Sequence, residues 1–170
     1  NAHVLSAPEF DAPQPVRIFA RREFAGAWEY LLEDAIFSTP AHPHWSGAAL
    51  IDRHGCLVGL GSLLVREVTD GEEINANMFV PIDLLKPILG ELKTRGRASR
   101  QSRPWLGVYT VEMTGKVYVT GVAEGGPAHQ ADIREGDLIS RVADHEVSTL
   151  PEVYRRLWAV GPAGSGVPLT

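Results

Sequence analysis

The residues best suited to covalent chemistry cluster in AHPHWSGAAL, Ala41 to Leu50. Ser46 supplies a hydroxyl, Gly47 allows a tight turn after it, and His42 and His44 place imidazoles just upstream. A serine hydroxyl attacks a carbonyl when a base takes its proton and fixed donors receive the oxyanion. Imidazoles this near in sequence seldom present a ring nitrogen to the hydroxyl within hydrogen-bond reach. Local activation of Ser46 by His42 or His44 is therefore not expected. On these residues alone both readings of Ser46 stand, nucleophile and ordinary turn serine.

Two other groupings suggest chemistry and are set aside. His42-x-His44 and His54-x-Cys56 offer imidazole and thiolate ligands at alternate positions, a spacing that shares a face on a strand. One pair falls in a loop and the other in a tight turn, and H-x-H with H-x-C is not a standard zinc set. Satisfied or exposed imidazoles are expected instead, with no metal and no cofactor. GPAGSG, Gly161 to Gly166, lacks the Lys-Ser/Thr of a phosphate loop and runs into Val167-Pro168, so it reads as a turn after a helix.

The elements that would position Ser46 are strands. HVLSA, PVRIFARR, EYLLEDAIF, GAALID, CLVGLGSLLV and NMFVPI are short β-branched or aromatic runs separated by Pro, Gly, Asp and Asn. Asp52 to Gly55 reads as a tight turn joining two of them, and Thr69 to Glu73 as a second, polar turn. Such spacing predicts a six-stranded antiparallel barrel or sandwich. A helix follows, capped by Asp83, with Leu84, Leu85, Ile88, Leu89 and Leu92 on one face, Pro87 early and Gly96 at its end. KTRGRASRQSR, Lys93 to Arg103, is polar and basic and reads as a solvated linker.

Beyond the linker the pattern is α+β. WLGVYTVEM and KVYVTGV are strands around Thr114-Gly115, GPAHQADI is a short helical turn, and DLISRVADHEV is a strand, a turn and a strand. STLPEVYRRLWAV is a helix in which Thr149 and Glu152 have capping-box spacing. Leu150, Val153, Leu157 and Val160 form its apolar stripe, with Arg155 and Arg156 off it. The sequence opens on Asn-Ala and ends in GSGVPLT, a strand-like start with nothing to pair it, and it reads as part of a larger protein.

Bulk properties narrow the function classes. The 170 residues suffice for one large or two small domains, and 44% apolar with 22% charged residues is ordinary for a globular protein. A net charge of −5 argues against nucleic acid as a partner. No apolar run approaches a membrane-spanning length, so no membrane partner is expected for this segment. The lone Cys56 excludes an internal disulfide.

Two separated motif sets carry a resemblance. AHPHWSGAALIDRHGCLVGLGS with NMFVPIDLLKPILGEL resembles the second barrel of HtrA/DegP-like serine proteases of chymotrypsin fold, whose pattern is Asn-Pro-Gly-Asn-Ser-Gly-Gly-Ala-Leu. RPWLGVYT with GVAEGGPAHQADIREGDLI is similar to the PDZ domain that follows it, with Pro127, Ala128, Ala131, Gly136, Asp137 and Ile139 in register. The resemblance implies a six-stranded barrel with a trailing helix over 1–96, a linker over 97–103, and an α+β PDZ domain over 104–170 whose last strand is missing.

The same resemblance assigns roles. Ser46 stands at the catalytic nucleophile, the N–H groups of His44 and Ser46 at the oxyanion hole, and Leu60, Gly61 and Ser62 at the strand that pairs substrate. His44 replaces a family Gly and Trp45 a small Asn. The family's triad His and Asp lie in a first barrel for which the 45 residues before Ser46 leave no room, and His3 and Asp11 are poor substitutes. In the PDZ part, Trp105, Leu106, Gly107 and Val108 would form the carboxylate loop, and Leu106, Val108, Leu150, Val153 and Leu157 an apolar pocket. The pocket residues read as well as simple core. Asp132 replaces a Gly expected at positive φ.

The implied function is an HtrA-like serine endopeptidase of which this chain is a fragment, acting in protein quality control on unfolded polypeptides or protein C-termini. The alternative is a catalytically impaired relative kept as a peptide-binding or scaffold protein. The resemblance also implies an extracytoplasmic, periplasmic location and a homo-oligomer.

Overall fold

The computed structural model describes residues 2–5, 13–69 and 71–170. Asp11, set aside above, and Asp70 of the second expected turn lie outside the described residues. The chain divides into two compact units, Asn1–Glu23 with Leu32–Ala98, and Phe24–Leu31 with Ser99–Thr170. The break after Ala98 falls inside the basic stretch read as a linker. The membership of Phe24–Leu31 in the second unit has no counterpart in the sequence reading.

The first unit is built on a closed antiparallel barrel of six strands, in the order β1-β2-β3-β6-β5-β4. The strands are β1 (Ala2–Leu5), β2 (Gln14–Gly26), β3 (Tyr30–Thr39), β4 (Ala49–Asp52), β5 (Leu57–Thr69) and β6 (Glu72–Pro81). Closure comes from β1, which pairs with β2 through Ala2↔Val16 and with β4 through Ala2↔Asp52. The inward residues Val4, Val16, Ile36, Leu50 and Phe79 form a buried cluster. The alternation along the strands puts these residues on one face.

The turn joining β4 to β5 forms as read. Asp52 Oδ1 accepts from the N–H groups of His54 at 2.8 Å and Cys56 at 2.9 Å. Those bonds, led by that from Cys56, hold the Asp52 carboxyl below its usual range. The helix after the barrel differs from expectation. A 3₁₀ turn spans Ile82–Leu84, and the α-helix α1 covers only Leu89–Arg95. Pro87 explains the delay, since it has no N–H and disfavours helical geometry at Lys86. Asp83 pairs with Lys86 at 2.6 Å rather than capping a helix. Gly96 ends α1 at φ 69°, as the spacing predicted.

The second unit holds a three-stranded sheet in the order β7-β8-β9 and a two-stranded ribbon, β10-β11. These are β7 (Val108–Met113), β8 (Lys116–Val122), β9 (Leu138–Ile139), β10 (Arg141–Val142) and β11 (His145–Glu146). The helices are α2 (Pro127–Gln130) and α3 (Leu150–Ala159). The Thr149–Glu152 capping box is present at the start of α3. Asp132 takes the positive φ expected there, at 60°. The buried face of α3 is Leu150, Val153, Tyr154 and Leu157, so Tyr154 joins the stripe while Val160 serves as C-cap.

The chain's end is paired, contrary to the expectation drawn from GSGVPLT. Leu169 bridges Val142 antiparallel, Ala143 N–H donates to Pro168 O at 2.8 Å, and Ser140 N–H to Thr170 O at 2.8 Å. The missing partner is β10, a two-residue strand too short to stand out in sequence.

Candidate functional site

The Ser46 turn is made by backbone. Ala48 N–H donates to Trp45 O at 3.0 Å, which closes a four-residue turn with Ser46 and Gly47 at its centre. Gly47 has φ 72°, which glycine adopts freely at the third position of a type II turn. Gly47 N–H donates to Gly61 O at 2.9 Å, and Gly61 N–H to Ala48 O at 2.7 Å. A Cβ on Gly61 would lie 1.9 Å from Trp45 O, so only glycine lets β5 approach this closely. Ser46 is exposed on the turn, and Leu60, Gly61 and Ser62 lie on β5 where its pairing with β6 shifts register.

The two histidines serve this loop differently. His42 is buried, with its N–H donating to Asn77 Oδ1 of β6 at 2.6 Å. Its Nδ1 accepts from the N–H of His44 at 3.1 Å. An Nδ1 that accepts carries no proton, which places the proton of neutral His42 on Nε2. The N–H assigned by resemblance to the oxyanion hole is thus directed at a ring nitrogen of the same loop. His44 is also not among the described residues with positive φ other than glycine, which are Glu29, Thr114, Asp132 and Ala143.

In the second unit the loop before β7 gathers N–H groups. Gly107 has φ 78°, and the Trp105 ring lies 3.1 Å from where its Cβ would stand. Leu106 O accepts from Ala128 N–H of α2 at 2.8 Å, and Gly107 O from Ala123 N–H at 2.8 Å. With their carbonyls tied back, Leu106, Gly107 and Val108 point their N–H groups together. All three donate to the carboxylate of Glu29. Leu106 reaches Oε1 at 3.1 Å and Oε2 at 3.0 Å, and Gly107 and Val108 reach Oε1 at 2.7 Å and 3.2 Å.

The chain beside Glu29 is held by β7 and α3. Thr110 N–H donates to Ala27 O at 2.9 Å, on the edge of β7 that β8 does not occupy. Tyr154 Oη donates to Gly26 O at 2.6 Å. Burial raises the Tyr154 pKa, so the hydroxyl keeps the proton it donates. Thr110 Oγ1, 3.0 Å from Tyr154 Oη, then supplies a donor to it.

Leu106, Val108, Leu150, Val153 and Leu157 are all buried in one cluster, against which Ala25 and Leu31 pack. Trp105 is more than half exposed. The structure therefore brings together the residues expected of a PDZ groove, while Ser46 lies in the first unit. Thr110 lies in the stretch Val108 to Val111 expected to pair a peptide strand, whereas Glu29 and Tyr154 were not expected at this site. Gly26-Ala27-Trp28 signals a turn, but nothing local says that Glu29 binds backbone 77 residues away.

A PDZ domain family model matches residues 104–170. A serine protease Do-like HtrA of Lactobacillus helveticus is 25% identical over 69% of this chain and 32% of its own length. The serine protease PepD of Mycobacterium tuberculosis is 29% identical over 81% of this chain and 30% of its own. The chain thus spans about a third of the length of these relatives. A serine endoprotease structure from Yersinia pestis matches with TM-score 0.44 at 21% identity, covering 90% of this chain and 57% of that one. The chain thus carries a closed six-stranded antiparallel barrel followed by a PDZ domain, and it is similar to HtrA-type serine proteases over about a third of their length.

Proposed function

We propose that this chain carries the nucleophile-bearing barrel and the peptide-binding PDZ domain of an HtrA-like serine endopeptidase. The observation that carries the peptide reading is the convergence of the Leu106, Gly107 and Val108 N–H groups on one carboxylate. Three backbone donors in one loop suit the terminal carboxylate of a peptide, and the edge of β7 that no strand of the sheet takes suits its strand. The apolar lining favours an apolar last residue. Unfolded polypeptides or protein C-termini are the partners, in an extracytoplasmic setting.

Ser46 is the nucleophile in this proposal, supported by its exposure on a turn fixed by Gly47 and Gly61. The relatives named above are serine proteases. A second reading has its own observation. The His44 N–H is committed to His42 Nδ1, which leaves one expected oxyanion donor turned aside. Loss of one such donor costs about 100-fold or more in rate. That reading is an impaired protease relative that captures peptides. A fluorophosphonate probe on the full-length protein separates the two. Stoichiometric labelling of Ser46, abolished by Ser46→Ala, supports the endopeptidase. Folded protein that takes no label supports the impaired relative.

A further inference from the structure

We propose that Phe24–Leu31 is a built-in ligand of the PDZ groove, with the Glu29 carboxylate standing where a peptide's terminal carboxylate would bind. The inference rests on the peptide-binding reading above and adds the groove's resident competitor. A peptide C-terminus offers a carboxylate and, two residues upstream, a backbone carbonyl for strand pairing. Glu29 and Ala27 offer that same pair, to Leu106–Val108 and to Thr110. The segment is gripped from the helix side as well, by Tyr154 on Gly26 O. It therefore occupies the space between β7 and α3 that an incoming peptide needs.

The backbone at Glu29 points the same way. Its φ of 57° is one that glycine adopts without strain and a glutamate seldom does. A glutamate held there is kept in place by its four carboxylate hydrogen bonds. An occupied groove lowers the apparent affinity for free peptide by the fraction of time it stands open. Peptides must then displace Glu29, so only a strong or locally concentrated C-terminus would fill the site.

The test uses a fluorescein-labelled peptide ending in valine with a free carboxylate, and its C-terminal amide. Binding is measured by anisotropy to the wild-type chain, Glu29→Gln and Glu29→Gly. The glycine variant suits the left-handed backbone and guards against misfolding of the first. Amide exchange at Leu106, Gly107 and Val108 is measured on the peptide-free proteins. The expected result is at least about tenfold tighter binding by both variants, with faster exchange at those amides. Equal affinities, or equal protection in wild type and variants, overturn the internal ligand while the peptide reading stands. Failure of every variant to bind the free-carboxylate peptide overturns the peptide reading itself, and the inference with it.

Discussion

The Ser46 loop and the Leu106–Val108 loop both present backbone N–H groups that could receive an anion, and in each an acceptor within the chain is already engaged, by His44 N–H in the first and by all three N–H groups in the second. The acceptors differ in kind. His44 N–H is taken by His42 Nδ1, two residues away in a loop that Asn77 anchors. Leu106–Val108 are taken by a carboxylate that is distant in sequence and chemically equivalent to a peptide terminus. A local tie of the first kind opens only if the loop is rebuilt. A tie of the second kind opens by exchange, one carboxylate for another.

The largest expected effect breaks the local side. Gly61→Ala drives a Cβ against Trp45 O, 1.9 Å away, and the strand or the Ser46 turn must shift. A loss of about 3 kcal/mol is expected in urea unfolding of the barrel, with loss of any fluorophosphonate labelling of Ser46. Unchanged stability would show that β5 and the turn are not packed as described.

A smaller change sharpens the exchangeable side. Tyr154→Phe removes the donor to Gly26 O and leaves a carbonyl short of a partner. About 1.5 kcal/mol of stability should be lost. Peptide binding should tighten a few-fold, because the internal segment is loosened while Glu29 is untouched. Weaker binding in this variant would mean that Tyr154 serves the peptide rather than the resident segment.

The smallest effect is a pH dependence at the base of α3. The Ser148 N–H and hydroxyl, and then those of Thr149, hold the Glu152 carboxyl below its usual range. Its folded pKa lies under the unfolded value of about 4.3, so its stabilisation is present above that pH and fades as pH falls through the folded pKa. Thermal melts from pH 6 to pH 3 should show a shallower decline in Glu152→Gln than in wild type. Parallel declines would exclude the capping carboxylate as a source of acid sensitivity.

The strands, the Asp52 turn, the capping box and the Gly96 stop were legible because each is decided by residues within a few positions of one another. The late start of α1 was misread because the leucine periodicity continued through Pro87, which backbone sterics do not permit. The pairing of Leu169 with Val142 was missed because two-residue strands carry no pattern. At the site, Ser46, Gly47 and the Leu106–Val108 loop could be named from motif. The acceptors that occupy those loops could not. The His44–His42 bond depends on a loop angle, and the Glu29 contact spans 77 residues of chain, beyond anything periodicity encodes.

The most direct measurement follows the backbone amide resonances of Leu106, Gly107, Val108 and His44 while a free-carboxylate peptide is added to the wild-type chain. The Glu29 side-chain carboxyl resonance is expected to move as it is released, while the three loop amides stay hydrogen-bonded, exchanging one carboxylate for another, and His44 stays fixed. Saturable peptide binding that leaves the Glu29 carboxyl unmoved would contradict an internal ligand in the groove.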